Sequence, residues 1–181
     1  MTHEYLSTDV VIVGGGPAGS AAAIELCRSG RSVLLLDKAT FPRDKCCGDG
    51  LTTLALRELE RLEFDPGEVG DWFDVHGAVL RSPSGRQITV PLPDEGRYAA
   101  VAPRLQLDDA LLRLARSHGA DVRDGHGFRA LDTSRSDSHD HVRVEADGLT
   151  IDARYVIAAD GMWSPVRKAT GANDPGYLGE W

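Results

Sequence analysis

The chain has 181 residues, of which 41% are hydrophobic and 27% are charged, as in an ordinary soluble globular protein. Its formal net charge is -8 and no basic stripe gathers the 20 lysines and arginines, which argues against a nucleic-acid partner. No apolar run is long enough to span a bilayer, the N-terminus lacks a signal-peptide pattern, and three cysteines make no disulfide framework. These features predict a cytoplasmic protein.

The first predicted elements are a strand, a glycine-rich turn, a helix and a second strand. The first strand covers residues 10–13 and is short and apolar. Pro17 suits the first position of the helix that follows, where its missing N–H costs nothing. Gly30 is placed to end this helix in a left-handed conformation. The second apolar strand, Val33–Asp37, closes on an acid.

Each part of this unit suits a bound dinucleotide. Gly14 permits a tight turn, Gly16 lets the backbone approach a pyrophosphate, and Gly19 allows close packing of helix and strand. The phosphates would lie over the N-terminus of the helix, where free N–H groups and the helix dipole favour negative charge. Asp37 stands near the position of the acid that accepts hydrogen bonds from an adenosine ribose. Its charge would repel a 2′-phosphate, so the site favours NAD or FAD over NADP.

The remaining elements follow from hydrophobic periodicity and turn residues. In chain order they begin with a helix at 51–62, a loop at 65–74, a hairpin of 75–81 and 86–90, and a helix at 105–117. Strands follow at 126–133, 141–146 and 149–153, with an exposed turn at 134–140. The last predicted elements are an apolar run at 155–159 and a short helix at 166–170. The run at 155–159 is predicted to be a buried parallel strand beside the first one. That pairing would bring Asp160 to the carboxyl edge of an open α/β sheet, where ligands bind.

Four segments carry a family resemblance: Gly14-Gly-Gly-Pro-Ala-Gly19, Phe41-Pro-Arg-Asp-Lys-Cys-Cys-Gly-Asp-Gly50, Ala102-Pro-Arg-Leu-Gln-Leu-Asp108 and Ala159-Asp-Gly-Met-Trp-Ser-Pro-Val-Arg167. Together they resemble the geranylgeranyl reductase family of FAD-dependent oxidoreductases, within the wider group that includes the aromatic-ring hydroxylases. The first and fourth segments are shared across the wider group. The second, with its Pro-Arg-x-Lys-x-Cys-Gly pattern, points to the reductase branch.

The resemblance implies a Rossmann-like FAD/NAD(P)-binding α/β fold with inserted β elements. It also implies that FAD, reduced by NAD(P)H or another donor, serves to reduce double bonds in the isoprenoid chain of a lipid or quinone. The protein would be soluble or in peripheral contact with a membrane. One alternative is an FAD-dependent monooxygenase that hydroxylates an aromatic substrate. Another is an FAD-binding fragment without turnover of its own.

The resemblance also assigns the site residues. FAD would contact Gly14, Gly16, Pro17, Ala18, Gly19, Asp37, Lys38, Arg43, Cys47, Gly48, Arg104, Asp160 and Gly161. Arg104 would lie against the phosphate–ribityl portion, which Asp160 would help to anchor, and Arg43 would neutralise phosphate or reduced-flavin charge. For Arg104 the alternative is a surface salt bridge at a helix start. No catalytic side chain is assigned, because the flavin performs the redox chemistry in this family.

Family members continue beyond this length. The resemblance therefore implies an FAD-binding domain at 1–171, with an inserted β-rich segment at 71–100, and the start of a substrate domain at 172–181. Cys46 stands where relatives commonly carry proline, which puts the local loop shape in question. We interpret the adjacent cysteines Cys46 and Cys47 as inert small side chains, and His139-Asp-His141 as a solvated turn. No metal site is predicted.

Overall fold

The computed structural model describes residues 3–47, 49–93, 95–133 and 141–172. The helices are α1 (Pro17–Arg28), α2 (Thr53–Arg61), α3 (Arg104–Ser117) and α4 (Pro165–Ala169). The strands are β1 (Glu4–Val13), β2 (Val33–Asp37), β3 (Gly50–Thr52), β4 (Phe73–Asp74), β5 (Gly77–Arg81), β6 (Gln87–Pro91), β7 (Ala99–Val101), β8 (Asp121–Asp124), β9 (Phe128–Asp132), β10 (Val142–Ala146) and β11 (Leu149–Ala158). The chain divides into two compact units, one formed by Met1–Phe41 with Leu111–Trp181 and the other by Pro42–Ala110.

The first unit is built on a six-stranded sheet in the order β8-β2-β1-β11-β10-β9. The pairs β8–β2, β2–β1 and β1–β11 are parallel, whereas β10 runs antiparallel to both of its neighbours. The core packs on the central strands, whose fully buried side chains include Ile12, Leu35 and Ile151. Burial of these apolar side chains is the main term that holds the sheet together. The predicted α/β class is confirmed.

Local sequence explains how α1 begins and ends. Gly16 is the N-cap residue and Pro17 follows it at the start of the helix, as predicted. The helix ends at Arg28, and Gly30 adopts φ +74° while its N–H donates to the carbonyl of Cys27 at 2.9 Å. The side chains of Ala23 and Ile24 are fully buried. This helix is therefore amphipathic, with a short buried face.

The second unit carries two small sheets and a helix. One sheet has the order β3-β7-β4, and the other is the two-stranded antiparallel ribbon β5–β6. Helix α2 is capped by Thr52, whose hydroxyl accepts a hydrogen bond from the N–H of Ala55 at 3.4 Å. The predicted hairpin and the predicted helix at 51–62 are both present, although Gly50–Thr52 forms strand β3 ahead of the helix. Within the described residues, no helix is both long enough and apolar enough to cross a bilayer.

The structure corrects the prediction for the end of the sheet. The segments predicted at 149–153 and 155–159 form one ten-residue strand, β11. Its pairing beside β1 is as predicted, but the run at 155–159 is not buried, because Tyr155 is 62% exposed and Val156 and Ile157 are only partly buried. The reason is that β10 pairs with β11 only over Leu149–Ala153. The rest of the strand lies beside β1 alone among the described residues.

Candidate functional site

The glycine-rich turn between β1 and α1 lies at the carboxyl edge of the sheet. Gly14 has φ +110°, and a Cβ atom there would lie 2.3 Å from the carbonyl oxygen of Ala159. A Cβ atom on Gly19 would lie 1.8 Å from the carbonyl oxygen of Gly14. The fold itself therefore requires glycine at both positions, as predicted for the tight turn and for the close packing.

Gly16 differs from these two glycines. Its φ of -75° and ψ of -175° are extended backbone angles that any residue adopts. Gly16 and Pro17 are partly buried and Ala18 is exposed, so this part of the turn faces outward, whereas Gly14 and Gly19 are buried. The backbone conformation at Gly16 does not require glycine. A missing side chain at this position instead leaves the start of the helix open to a ligand.

Asp37 closes β2 and holds the turn in place. Its Oδ2 accepts a hydrogen bond from the N–H of Gly15 at 2.7 Å, and its Oδ1 accepts one from the N–H of Ala39 at 2.8 Å. Each carboxylate oxygen can accept more than one hydrogen bond. Lys38 follows directly and lines the same cavity as Asp37. The acid predicted to bind a ribose is thus fixed beside the glycine turn.

Asp160 follows β11 and lines the same cavity. Its Oδ2 accepts a hydrogen bond from the N–H of Val166 at 3.1 Å, which helps to cap α4. Its Oδ1 is buried and has no hydrogen-bond partner among the described residues. A buried carboxylate oxygen without a donor is costly, and such atoms require an explanation. The neighbouring Gly161 adopts φ +84° with open space around it.

These groups meet in a cavity of about 380 Å³ within the first unit. Its size lies in the range of small-molecule sites. Its lining comes from the turn, the ends of β2 and β11, the start of α4, and the residues around β9 and the β10–β11 turn. The lining residues are Val13, Gly14, Leu36, Asp37, Lys38, His126, Gly127, Phe128, Arg129, Asp147, Asp160 and Pro165.

The cavity has one wall that the sequence did not reveal. The N–H of His126 donates to the carbonyl of Asp37 at 2.8 Å, which ties this wall to the end of β2. Asp147 accepts hydrogen bonds from Arg129 Nε at 2.6 Å and from the N–H of Gly127 at 3.0 Å. The Arg129 contact is the main reason why the pKa of Asp147 is lowered. The sequence marks Asp147 only as part of a hairpin turn, and no periodic signal indicates its second role.

The second unit holds the predicted residues Arg43, Cys47 and Arg104. Arg104 binds Asp108 through two hydrogen bonds, Nε to Oδ1 at 2.6 Å and Nη2 to Oδ2 at 2.8 Å. Arg43 Nη1 donates to the same Oδ2 at 3.0 Å. Asp108 is fully buried, and its hydrogen bond raises the pKa of the Arg104 guanidinium. The thiol of Cys47 also lies in hydrogen-bonding contact with Arg104.

The cluster of Arg43, Arg104 and Asp108 bears on the alternative that Arg104 forms a surface salt bridge. Its side chain is 18% exposed, and its partner is not exposed at all, so it does not form an ordinary surface salt bridge. Asp49 caps the start of α3, because its Oδ1 accepts a hydrogen bond from the N–H of Arg104 at 3.2 Å.

Gly48, also predicted to contact FAD, lies outside the described residues, as does His139. Within the described residues, no three His, Cys, Asp or Glu side chains are grouped to hold a metal ion.

A family model described as an FAD binding domain matches residues 7–179 of the chain. The chain belongs to this family. It is similar to the menaquinone reductase of Mycobacterium tuberculosis, with 41% identity over 171 residues that cover 91% of this chain and 40% of that protein. It is also similar to the rifampicin monooxygenase of Streptomyces venezuelae, with 35% identity over 177 residues that cover 93% of this chain and 35% of that protein.

Among solved structures, a geranylgeranyl bacteriochlorophyll reductase-like protein from Thermoplasma acidophilum superposes with a TM-score of 0.73 and 27% identity, covering 87% of this chain and 40% of that one. The predicted membership in the FAD-dependent oxidoreductases is confirmed, and with it FAD as the cofactor of the family. The FAD-binding domain described here spans about 40% of the length of the menaquinone reductase that it matches.

The residues of the first unit fit FAD. The unpartnered Oδ1 of Asp160 is an acceptor that a cofactor hydroxyl can satisfy. The outward part of the turn at Gly16 offers the N-terminus of a twelve-residue helix to a diphosphate. Asp37 lines the same cavity, and a carboxylate is a group that accepts hydrogen bonds from ribose hydroxyls. These three groups therefore complement the hydroxyl and phosphate groups of the cofactor.

The variant Asp160→Asn tests this fit. Its amide oxygen can still accept from the N–H of Val166, but its NH₂ group replaces the acceptor Oδ1. We expect FAD to bind about 10- to 100-fold more weakly, because a hydrogen bond to a charged acceptor is lost. FAD fluorescence titration measures this change. The control is Ser164→Ala, which removes the other cap of α4 and should leave the FAD affinity unchanged. Equal affinities of Asp160→Asn and the unmodified chain would contradict the assignment.

Proposed function

We propose that this chain is the FAD-binding domain of a flavin-dependent reductase that adds hydrogen across a double bond in the isoprenoid chain of a lipid or quinone. The observation that carries the cofactor assignment is the unpartnered, buried Oδ1 of Asp160, a residue that lines the cavity beside the glycine turn. The substrate class is supported by the likeness to the menaquinone reductase and to the geranylgeranyl reductase-like structure. The Pro-Arg-x-Lys-x-Cys-Gly segment after Phe41 favours the same branch.

The residues of the first unit would position the cofactor. The N–H groups at the start of α1 would bind the diphosphate, with Gly16 leaving room for its approach. Asp37 would accept hydrogen bonds from the ribose hydroxyls, and Asp160 Oδ1 would accept one from a further hydroxyl. When bound, FAD supplies the hydride chemistry, and NAD(P)H or another donor reduces it.

In the second unit, Asp108 orients two arginines. A buried carboxylate that binds both Arg43 and Arg104 limits the motion of their guanidinium groups. Fixed guanidinium groups are suited to phosphate and to other anions. The FAD contacts that the resemblance implies for Arg43, Cys47 and Arg104 stay predictions.

The purified chain tests the proposal directly. We expect it to retain a flavin absorption spectrum after FAD is added and the excess is removed. Gly16→Val should lose that spectrum, because the valine side chain would occupy the space over the helix N-terminus, whereas its far-UV circular dichroism should not change. The same substitution at the exposed Gly70 is the control and should keep the flavin. Retention of FAD by Gly16→Val would contradict the placement of the diphosphate.

The same preparation separates the candidate reactions. With a nicotinamide donor and a menaquinone or prenyl lipid, a reductase product gains two hydrogens without consuming oxygen. The aromatic monooxygenase alternative, which the likeness to the rifampicin monooxygenase favours, requires that the product gain an oxygen atom and that oxygen be consumed. A chain that binds FAD and turns over neither substrate would support the FAD-binding fragment without turnover.

A further inference from the structure

The cavity wall formed by residues 126–129 begins directly beside Asp37. The N–H of His126 donates to the carbonyl of Asp37 at 2.8 Å, and both residues line the cavity. In FAD the adenosine ribose joins the diphosphate to the adenine base. With the diphosphate at the start of α1 and the ribose at Asp37, the base is the next group of the cofactor. The wall at 126–129 is the part of the cavity lining that this base would meet.

Asp147 of the β10–β11 turn holds this wall in place. Its N–H donates to the carbonyl of Gly127 and its Oδ2 accepts from the N–H of Gly127, both at 3.0 Å. Its Oδ1 accepts from Arg129 Nε at 2.6 Å, and its carbonyl oxygen bonds to His126 Nδ1 at 2.7 Å. Gly127 is buried, and a Cβ atom there would lie 2.9 Å from Asp147 Oδ2. The position of the His126 ring is therefore fixed by local packing.

The charges beside the wall suit an uncharged ligand group. Arg129 is paired with the carboxylate of Asp147. Lys38, whose Cβ atom lies near Gly127, directly follows Asp37 in the chain, and both of these residues line the cavity. The two cations are thus matched by two carboxylates, so this part of the cavity favours a neutral heterocyclic base over a further phosphate.

The contact between His126 and Asp147 determines which ring nitrogen carries a proton. A backbone carbonyl oxygen can only accept, so Nδ1 carries the proton and donates to it. In the neutral imidazole, Nε2 is then an acceptor. His126 is partly buried, and its Nε2 makes no hydrogen bond to another described residue. The wall therefore offers the cavity lining one fixed acceptor on a neutral ring.

We propose that His126 Nε2 accepts a hydrogen bond from the exocyclic amino group of the adenine of FAD. This assignment rests on the proposed placement of the ribose at Asp37. The ring nitrogens of adenine that are not bonded to the ribose are acceptors, so the amino group is the N–H donor that the base presents to an acceptor. His126 is thereby a specificity-determining residue for the base. Hypoxanthine carries a carbonyl oxygen in place of the amino group, and that oxygen cannot donate to Nε2.

Isothermal titration calorimetry with two dinucleotides tests the proposal on the full chain. The probes are FAD and its analogue with hypoxanthine in place of adenine, at about pH 8, where an ordinary imidazole is neutral. We expect the unmodified chain to bind FAD about 10- to 100-fold more tightly than the analogue, because the analogue leaves the acceptor unpaired. His126→Asn should lose this preference. Its amide nitrogen can still donate to the carbonyl of Asp147, as Nδ1 does, but it has no atom at the position of Nε2.

The matched control is His118→Asn in the same unit. His118 is also partly buried, but it lies between α3 and the start of β8, at the amino edge of the sheet. This variant should keep the preference for FAD. Equal affinities of the unmodified chain for the two dinucleotides, or a preference that survives in His126→Asn, would overturn the proposal and leave the FAD site itself intact. Absence of FAD binding to the unmodified chain would contradict the proposed function together with this inference.

Discussion

Replacing Asp108 with asparagine is expected to lower the free energy of unfolding by about 3 kcal/mol, near the lower end of the values for breaking a buried ion pair. The carboxylate is fully buried and accepts hydrogen bonds from both Arg43 and Arg104. Asparagine keeps one acceptor oxygen but removes the only negative charge of this cluster. The guanidinium groups of Arg43 and Arg104, whose side chains are each 18% exposed, would both lose their bond to this charge.

Equilibrium urea denaturation measures this loss. The control is Glu58→Gln, which removes the charge of an exposed partner of Arg61 in the same unit. Exposed pairs contribute about 0.2 to 1 kcal/mol, so this variant should be nearly neutral. A loss of stability in Asp108→Asn no larger than in Glu58→Gln would mean that the buried carboxylate does not organise the two arginines.

Gly14→Ala is expected to destabilise the first unit by about 2 to 5 kcal/mol, the sum of a strained backbone and an overpacked contact. Gly14 has φ +110°, and the added Cβ would lie 2.3 Å from the carbonyl oxygen of Ala159. That contact involves backbone atoms at the end of β11, which cannot rotate away as a side chain can. The turn and the end of β11 would have to separate.

Gly30→Ala is the matched control, because Gly30 also has a positive φ, +74°, but an added Cβ would meet no atom within 4 Å. Its cost should be the backbone strain alone, about 1 to 2 kcal/mol. The difference between the two thermal unfolding transitions isolates the contact with Ala159. Equal losses of stability in Gly14→Ala and Gly30→Ala would show that the close contact with Ala159 relaxes without a free-energy penalty.

The part of the fold that sequence predicts well is the part that local chemistry determines. The strand, glycine turn, helix and second strand up to Asp37 each have their own signal, such as the apolar run before Gly14 and the proline at position 17. The partnership of β11 with β1 was also predictable, because apolar runs and a terminal Asp-Gly pair are typical of a strand at the carboxyl edge of an α/β sheet.

The strands that the sequence did not reveal are short or polar. Strand β8 reads Asp-Val-Arg-Asp and has no apolar alternation, yet it pairs in parallel with β2 through its backbone. Strands β3, β4 and β7 have two or three residues each, too few for a periodic pattern. Only the neighbouring strands determine that these segments are extended.

The candidate site shows the same division. Gly14, Gly19, Asp37 and Asp160 follow from motifs. In the sequence Asp108 ends a segment that carries the family resemblance, but its contact with Arg43 is not predictable, because Arg43 is distant along the chain and the buried contact depends on the tertiary fold. The wall residues of the cavity, such as Asp147, are also not predictable from the sequence, because their contacts depend on the tertiary fold. Sequence motifs therefore predict the residues of the glycine turn and the strand ends. Packing between distant segments determines which other residues line the cavity.

The pairing of β1 with β11 also determines when this site can form during synthesis. Glu4 lies opposite Leu149, and Val13 lies opposite Ala158, so the central pair of the sheet joins the first and last strands of the described chain. The ribosome releases the glycine turn early, but Ala159, against which Gly14 packs, emerges only after all the strands described. Contacts between such distant residues form slowly, because a long chain segment must be closed first. The first strand therefore lacks its β11 partner until β11 has been synthesised, and a nascent chain that ends before Ala159 lacks the residue against which Gly14 packs.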